Sequence, residues 1–365
     1  MQIQCIDKLG DFDKLKGRWN AIYTADPHAT MFLNWAWLRG WFEVTAYPWL
    51  VLACRADESS PYVGFFALSR DATIPKYRFD LIRELRMGGN PLANYTGFVC
   101  LPEYETTTIA EFAKHLQEQM DWEMFHMDEV LDPRLDLFLS HFSSKHFSVE
   151  HRSGTPCMFI PLPSTWDNYF QERLGKRTRR DLRRSFREME SRNEFHITHV
   201  TADNLESQIE TLLELYQSYW GRKSTYNLNR HRVIFRRFFD ANSLWLAVIS
   251  NAQTPIAALA AICDRQKKTF SAYLAGYGRD DAKLSPGKTL FGYSIKYALE
   301  NGFEVYDFLK GDEGYKAFFG VTKRVTRNVV LTRKSLRLQF GNLLRDSRMR
   351  LSIRHLDTAN QEQSA

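Results

Sequence analysis

The stretch TFSAYLAGYGRDDAKLSPGKTLFGYSIKYALENG, residues 269–302, decides the reading of this chain. Residues 269–277 mix aromatic and small apolar side chains and read as a strand, and the loop after them leads into a helix. Ser285 suits an N-cap, and Pro286 suits the first helical position, where its missing N–H costs nothing. Beyond them Leu290, Phe291, Ser294, Ile295, Ala298 and Leu299 form one apolar face, and Asn301-Gly302 closes the helix. A helix N-terminus offers unpaired N–H groups and positive dipole, Gly287 leaves room at the backbone, and Lys288 adds a mobile charge. Those features make a pyrophosphate cradle. They are also what any well-capped helix after a loop displays, so the stretch by itself leaves both readings open.

The next segment, EVYDFLKGDEGYKAFFG (304–320), bears on the choice. Val305, Tyr306, Phe308 and Leu309 read as a buried strand that ends in Lys310-Gly311-Asp312-Glu313-Gly314, and Tyr315 and Lys316 open a short aromatic helix. Ligands of open α/β sheets gather beyond the C-terminal ends of strands, which places Asp312, Glu313, Tyr315 and Lys316 near the Ser285 loop. Acyl transfer from a thioester needs a donor to the carbonyl oxygen, a base for the acceptor, and an acid or cation for the leaving thiolate. This cluster offers the last two. The alternative is a surface turn with ordinary charges.

Working outward, the second half alternates strand and helix: a strand at 195–200, helices at 202–219 and 230–240, then strands at 244–249 and 256–264. The first half shows the same alternation, with an aromatic helix from Met31, strands at 50–54 and 62–68, a helix at 107–120, a strand at 126–130 and a helix at 133–142. Two similar halves point to a duplicated α/β module. The chain of 365 residues exceeds one ordinary core, and the expected division is 1–160, 161–335, and a basic helix and tail at 336–365.

Composition narrows the classes further. The five cysteines (Cys5, Cys54, Cys100, Cys157, Cys263) are dispersed and form no CxxC pair, which argues for a reducing compartment and against a disulfide frame or structural zinc. No HExxH or other ligand spacing appears among the histidines, so no metal is expected, and no GxSxG elbow points to a serine hydrolase. The N-terminus lacks the apolar core of a signal peptide. Residues 241–263 carry no charge and are long enough to span a bilayer, but SNAQTP (250–255) interrupts them, so two strands and a turn fit better.

The run from 256 to 320, with GYG, SPGK, YDFLKGDEGYK and FFG in that order, resembles the CelD/BcsL-like acetyltransferases of the GNAT superfamily and, more distantly, the FemABX peptidyltransferases. The upstream LGKRTRRDLRRSFREME (174–190) is similar to the basic helix preceding the second module in that family. The resemblance implies an α/β fold of tandem GNAT-like modules, each a mixed, mostly antiparallel sheet flanked by helices. It implies acetyl-CoA or another acyl-CoA in the second module, with Tyr273, Ala275, Gly276 and Tyr277 on the splayed strand beside the thioester and Ser285, Pro286, Gly287 and Lys288 at the pyrophosphate. Asp312, Tyr315 and Lys316 fall at the family's acidic-aromatic-basic position by the reacting centre. The superfamily's phosphate signature (Gln or Arg, two residues, Gly, one residue, Gly or Ala) is absent, the segment reading AKLSPGK (282–288). In the first module Asn94-Tyr95 stands where relatives often carry an Asp-Tyr pair facing the acceptor, and Asn94 cannot act as a base.

Charge is strongly partitioned. Residues 173–192 hold nine Lys/Arg against three Asp/Glu and residues 323–354 hold ten against one, within a total of +6, so the remainder of the chain is acidic. In the first of these stretches Leu182, Phe186 and Met189 share one helix face and the basic residues form rows at i, i+4, a helix that suits an anionic acceptor, a membrane surface or nucleic acid; the resemblance implies a place near the acceptor or the CoA phosphates for Arg177 and Arg180, and nucleic acid is not the expected partner. A solvated face packed on its apolar side is the plainer reading. Trp220, at the end of a helix, is a candidate wall of the acceptor cleft or a core residue. The expected acceptor is a small molecule or saccharide, such as an amino sugar or polysaccharide precursor. The expected location is the cytoplasm, with peripheral contact at the inner membrane through the basic C-terminal segment, whose plainer reading is a strand and helix closing the fold. A FemABX-like transfer from aminoacyl-tRNA, or a catalytically silent GNAT-like scaffold docked at a membrane, are the competing readings.

Overall fold

The computed structural model describes residues 1–73, 81–192, 194–220, 228–278 and 285–334. The chain opens with β1 (Gln2–Ile6), α1 (Leu9–Lys14), α2 (Lys16–Ala25) and α3 (Trp35–Val44), followed by β2 (Trp49–Arg55), β3 (Tyr62–Thr73), β4 (Ile82–Met87) and β5 (Val99–Cys100). Next come α4 (Glu105–Glu118), β6 (Met124–Val130), α5 (Leu135–Ser140), β7 (Phe147–Arg152), β8 (Pro156–Pro161), α6 (Trp166–Arg173) and α7 (Lys176–Ser191). The remainder is β9 (Phe195–His199), α8 (Leu205–Trp220), α9 (Leu228–Asp240), β10 (Leu244–Asn251), β11 (Thr254–Asp264), β12 (Thr269–Tyr277), α10 (Pro286–Glu300), β13 (Val305–Lys310), α11 (Gly314–Ala317), β14 (Thr322–Val325) and β15 (Arg327–Arg333).

These elements build two sheets. One has the order β1-β2-β3-β4-β6-β15-β7, with β5 on β3; the other has the order β14-β8-β13-β12-β11-β10-β9. Every pairing is antiparallel except β4 with β6 and β12 with β13. Each sheet is thus mixed and mostly antiparallel, with helices against it, as the tandem-module reading expects. Sequence patterning does not show β4, β5, β7 and β14, which are short or carry charged residues.

The two compact units are not contiguous in sequence. The first contains Met1–Ala29, Ala46–Ser153 and β15; the second contains Thr30–Thr45 and Gly154–Thr326. This differs from a division at 160 in three places: α3 belongs with the second unit, the changeover falls at Ser153–Gly154 so that β8 joins the second sheet, and β15 lies between β6 and β7 of the first sheet. Within the second unit α3 packs along α9. Gly40 has no Cβ to hold it off Ile234 and Arg237, Trp37 lies against Phe238, and Glu43 accepts from Arg237 at 2.7 Å.

In the first unit Leu50, Leu52, Phe66, Leu85, Phe125, Val329 and Leu331 meet Ile109, Phe112 and Leu116 of α4 and Phe138 of α5. In the second unit β11 is covered on both faces, so its run of Ala257, Ala258, Ala260 and Ala261 is wholly buried. One face meets Leu182, Leu290, Phe291 and Ile295, and the other meets Ile209, Leu212, Leu213 and Phe235. Burial on both sides explains the uncharged stretch 241–263, which forms the β10–β11 hairpin. Among the described residues no helix is long and apolar enough to cross a membrane.

Candidate active site

The site begins where two parallel strands part. β12 and β13 pair only at Thr269 with Val305, Phe270 with Tyr306 and Ser271 with Asp307. From Ala272 to Tyr277, β12 stays paired with β11 while its ladder to β13 has ended. The divergence has local causes on both strands. On β12 the register with β11 slips between Ala260 and Ala261, leaving Tyr273 as a bulge. On β13 Leu309 takes a left-handed backbone (φ 62°), and its N–H is held at 2.8 Å by the buried Asp307 carboxylate, which Arg324 neutralises.

The bulge sorts the expected donor-site residues onto two faces. Ala275 and Tyr277 pack with the α10 side of the sheet. Tyr273 turns the other way, toward Trp37, Phe32, His231 and Phe235, with ring centroids 5.4 to 6.3 Å apart. Gly276 also faces α8: a Cβ there would overlap the backbone of Leu215 and Tyr216. Tyr273 and Gly276 therefore shape the strand and its helix packing, whereas Ala275 and Tyr277 border the opening on the α10 side.

The N-terminus of α10 stands beside Tyr277. Pro286 occupies the first turn as expected, but Ser285 does not cap it: its backbone is left-handed (φ 49°, ψ 58°) and its side chain makes no cap hydrogen bond. Only its carbonyl enters the helix ladder, accepting from Thr289 N–H at 3.1 Å. Among the described residues the first turn thus has no side-chain cap and no acidic residue. Gly287 is required by a neighbour, since a Cβ would lie 2.7 Å from the Tyr277 ring. Lys288 is exposed, its ammonium 4.9 Å from the centre of the Phe318 ring.

Beyond β13 the segment 310–316 is folded tightly around one lysine. Lys316 is 3% exposed, and its ammonium donates to the carbonyls of Lys310 at 2.8 Å and Gly311 at 3.1 Å and pairs with Glu313 at 2.8 Å. All three donors are engaged, so the side chain acts as a strut that fixes the turn. Gly311 has positive φ (101°), and the Glu313 carboxylate lies where its Cβ would be. Asp312 is exposed to solvent.

This turn sets Tyr315 against Phe291 of α10, with centroids 5.3 Å apart. Burial, and then the Glu313 carboxylate, pushes the Tyr315 phenol above its ordinary range, and burial does the same for Tyr277, helped by Tyr315 and Tyr219. Both phenols are therefore neutral O–H donors at physiological pH. Tyr219 of α8 completes the group, its ring edge-on to Tyr277 at 5.1 Å. Sequence reading did not single it out, because a tyrosine on an amphipathic helix looks like packing; its exposure (45%) is the distinguishing mark.

Other expected site residues lie elsewhere. Asn94 and Tyr95 are buried in the first unit, 7% and 2% exposed. Arg177 and Arg180 project from α7 into solvent. The side chain of Trp220, the loop residues 279–284 and the basic tail from Leu336 lie outside the described residues. Among the described residues no group of His, Cys, Asp or Glu could hold a metal ion.

Residues 176–317 match the acetyltransferase (GNAT) domain family, a span that covers the splayed strands, α10 and the Lys316 turn. They form a GNAT-type acyltransferase domain. No curated protein sequence matches the chain. Among solved structures the chain is similar to FemX at 12% identity, over 90% of this chain and 97% of that one, with a TM-score of 0.61. It is similar to L-PGS from Bacillus licheniformis at 12% identity, over 92% and 95% of the two chains, with a TM-score of 0.54. A tandem GNAT protein from the clavulanic acid biosynthesis pathway aligns at 9% identity over 91% and 98%, with a TM-score of 0.50. Identities this low speak for the fold alone, and the fold is that of tandem GNAT-like modules.

Proposed function

We propose that the second unit transfers an acyl group, acetyl in the first instance, from acyl-CoA to an amine or hydroxyl of a polar acceptor such as an amino sugar or polysaccharide precursor. The resemblance to the CelD/BcsL-like acetyltransferases supports acyl-CoA as the donor. The observation that carries the reading is the opened β12–β13 edge lying beside a helix N-terminus that, among the described residues, has no side-chain cap and no acid in its first turn. The pantetheine arm of CoA contains two amides and is chemically peptide-like, so the edge of 272–277, which no described strand pairs with on the β13 side, suits it as a missing strand would. The α10 N–H groups and Lys288 suit its pyrophosphate.

Tyr315 then serves as the acid: its neutral O–H gives a proton to the departing sulfur as the C–S bond breaks. The exposed Asp312 carboxylate takes the proton from the acceptor as its nitrogen or oxygen bonds to the acyl carbon. Lys316 acts through geometry, holding the turn that positions both. Titration calorimetry with acetyl-CoA tests the reading. The wild type is expected to bind, and Gly287→Asp, which brings a carboxylate to the helix N-terminus and crowds Tyr277, is expected to lose binding. A wild type without affinity for acyl-CoA overturns the proposal.

A further inference from the structure

Helix α7 presents a charged face that the acyl-transfer chemistry does not use. Its inner side is fully committed: Leu182 and Phe186 press on α10 at Gly292, where the missing Cβ admits them, and Met189 joins the same core. The outer side carries Lys176, Arg177, Arg180, Arg183, Arg184 and Arg187, all exposed, with Arg177, Arg180 and Arg184 at 89, 77 and 72%. Acidic relief is slight. Asp181 stands 3.6 to 3.9 Å from Arg177 and Arg180, and Glu188 pairs with Arg184, while among the described residues no carboxylate pairs with Lys176, Arg183 or Arg187.

We infer that this face is a docking surface for an anionic lipid bilayer. Sixteen residues of helix extend about 24 Å. Six cations spread along a convex cylinder of that length cannot converge on one small anion, but they can all approach a planar array of phosphates. Single-stranded nucleic acid is recognised by aromatic stacking platforms, and the helix's one aromatic side chain, Phe186, is turned inward. The apolar face is occupied as well, so α7 does not insert as a free amphipathic helix does. The contact is electrostatic and peripheral, sensitive to salt and to lipid charge. It brings the α10 flank of the second unit toward the bilayer, a placement suited to an acceptor carried at or near lipid, and it holds whether or not the second unit transfers acyl groups.

Vesicle co-sedimentation of the full chain tests this directly. Binding is expected to vesicles of phosphatidylcholine mixed with phosphatidylglycerol and not to phosphatidylcholine alone, with release as salt rises. Each basic residue near such a surface is worth about fivefold in affinity, so the triple variant Arg177→Gln/Arg180→Gln/Arg184→Gln should bind about a hundredfold more weakly. A triple Arg→Lys variant should keep most of the binding. Thermal melts of both variants verify folding, since none of the three side chains packs in the core. Equal binding to neutral vesicles, undiminished binding of the glutamine variant, or a stronger preference for RNA in filter binding would each overturn the inference.

Discussion

The two sheets share one plan and diverge at one point. In the first sheet β4 and β6 run parallel for three pairs, Glu84 to Met124, Leu85 to Phe125 and Arg86 to His126, as β12 and β13 do in the second. Past that point the first unit closes its own opening. Thr96 comes in beside β6, its N–H bonded to Glu129 O at 2.8 Å, and Tyr95 and Phe98 are buried behind it. The plug is pinned by a buried ion network: Arg134 donates to Asp26, Asp132 and the Phe98 carbonyl, while Asp132 accepts from Phe98 N–H. The following helices differ in the same sense, since Glu105 sits in the first turn of α4 and no acid sits in that of α10. In the first unit a bridge at Thr96 fills the place past the parallel pairs; in the second, no described strand pairs with β12 there on the β13 side.

If the second unit alone does chemistry, the largest effect should come from its acid. Tyr315→Phe keeps the ring on Phe291 and removes the proton donor, so kcat should fall about 10²- to 10⁴-fold with acetyl-CoA affinity unchanged in calorimetry. Because the phenol's pKa is raised, the wild-type rate should show no loss from tyrosine ionisation between neutral pH and pH 10. A variant with full turnover would remove Tyr315 from the mechanism.

Next in size is the network that seals the first unit. Arg134→Leu leaves Asp26 and Asp132 buried without their cation, and removing one partner of such a set costs about 3–5 kcal/mol, to be read in chemical denaturation. Two glycines give a matched and smaller pair. An alanine at Gly97 would place its Cβ 2.6 Å from Asp132, and one at Gly276 would strike the α8 backbone, so each should cost about 1–3 kcal/mol by overpacking. Gly276→Ala should also weaken acyl-CoA binding by displacing β12, whereas Gly97→Ala should leave it intact.

Local chemistry made the elements around α10 legible in the sequence: Pro286 at the helix start, the strand ending at Lys310 and the aromatic α11 appear where their residue types place them. What was illegible depends on partners far along the chain. Nothing within residues 30–45 says that α3 will pack on α9, and nothing within 327–333 says that this strand will lie between β6 and β7. The same limit applies to single side chains. Lysine is normally a surface residue, so the burial of Lys316 against two carbonyls could not be read from YKAFF; Ser285 follows the N-cap preference in type yet takes a left-handed backbone without capping. Tyr273 and Tyr277 look equivalent until the bulge turns them to opposite faces.

The smallest effect tests the contrast between the two helix ends. A charge in the first turn interacts with the helix dipole by about 0.3–1 kcal/mol, favourably when negative and unfavourably when positive. Glu105→Gln should therefore destabilise the protein slightly, and Lys288→Gln should stabilise it slightly, by no more than that amount in denaturation. Stability alone would make Lys288 a defect. Ligand binding reverses the ranking: Lys288→Gln should weaken acetyl-CoA binding severalfold, and more at low salt than at high, while Glu105→Gln leaves it unchanged. A lysine that lowers stability and raises affinity marks α10 as the helix end kept for an anion, and equal calorimetric affinities for the two variants would erase that distinction between the modules.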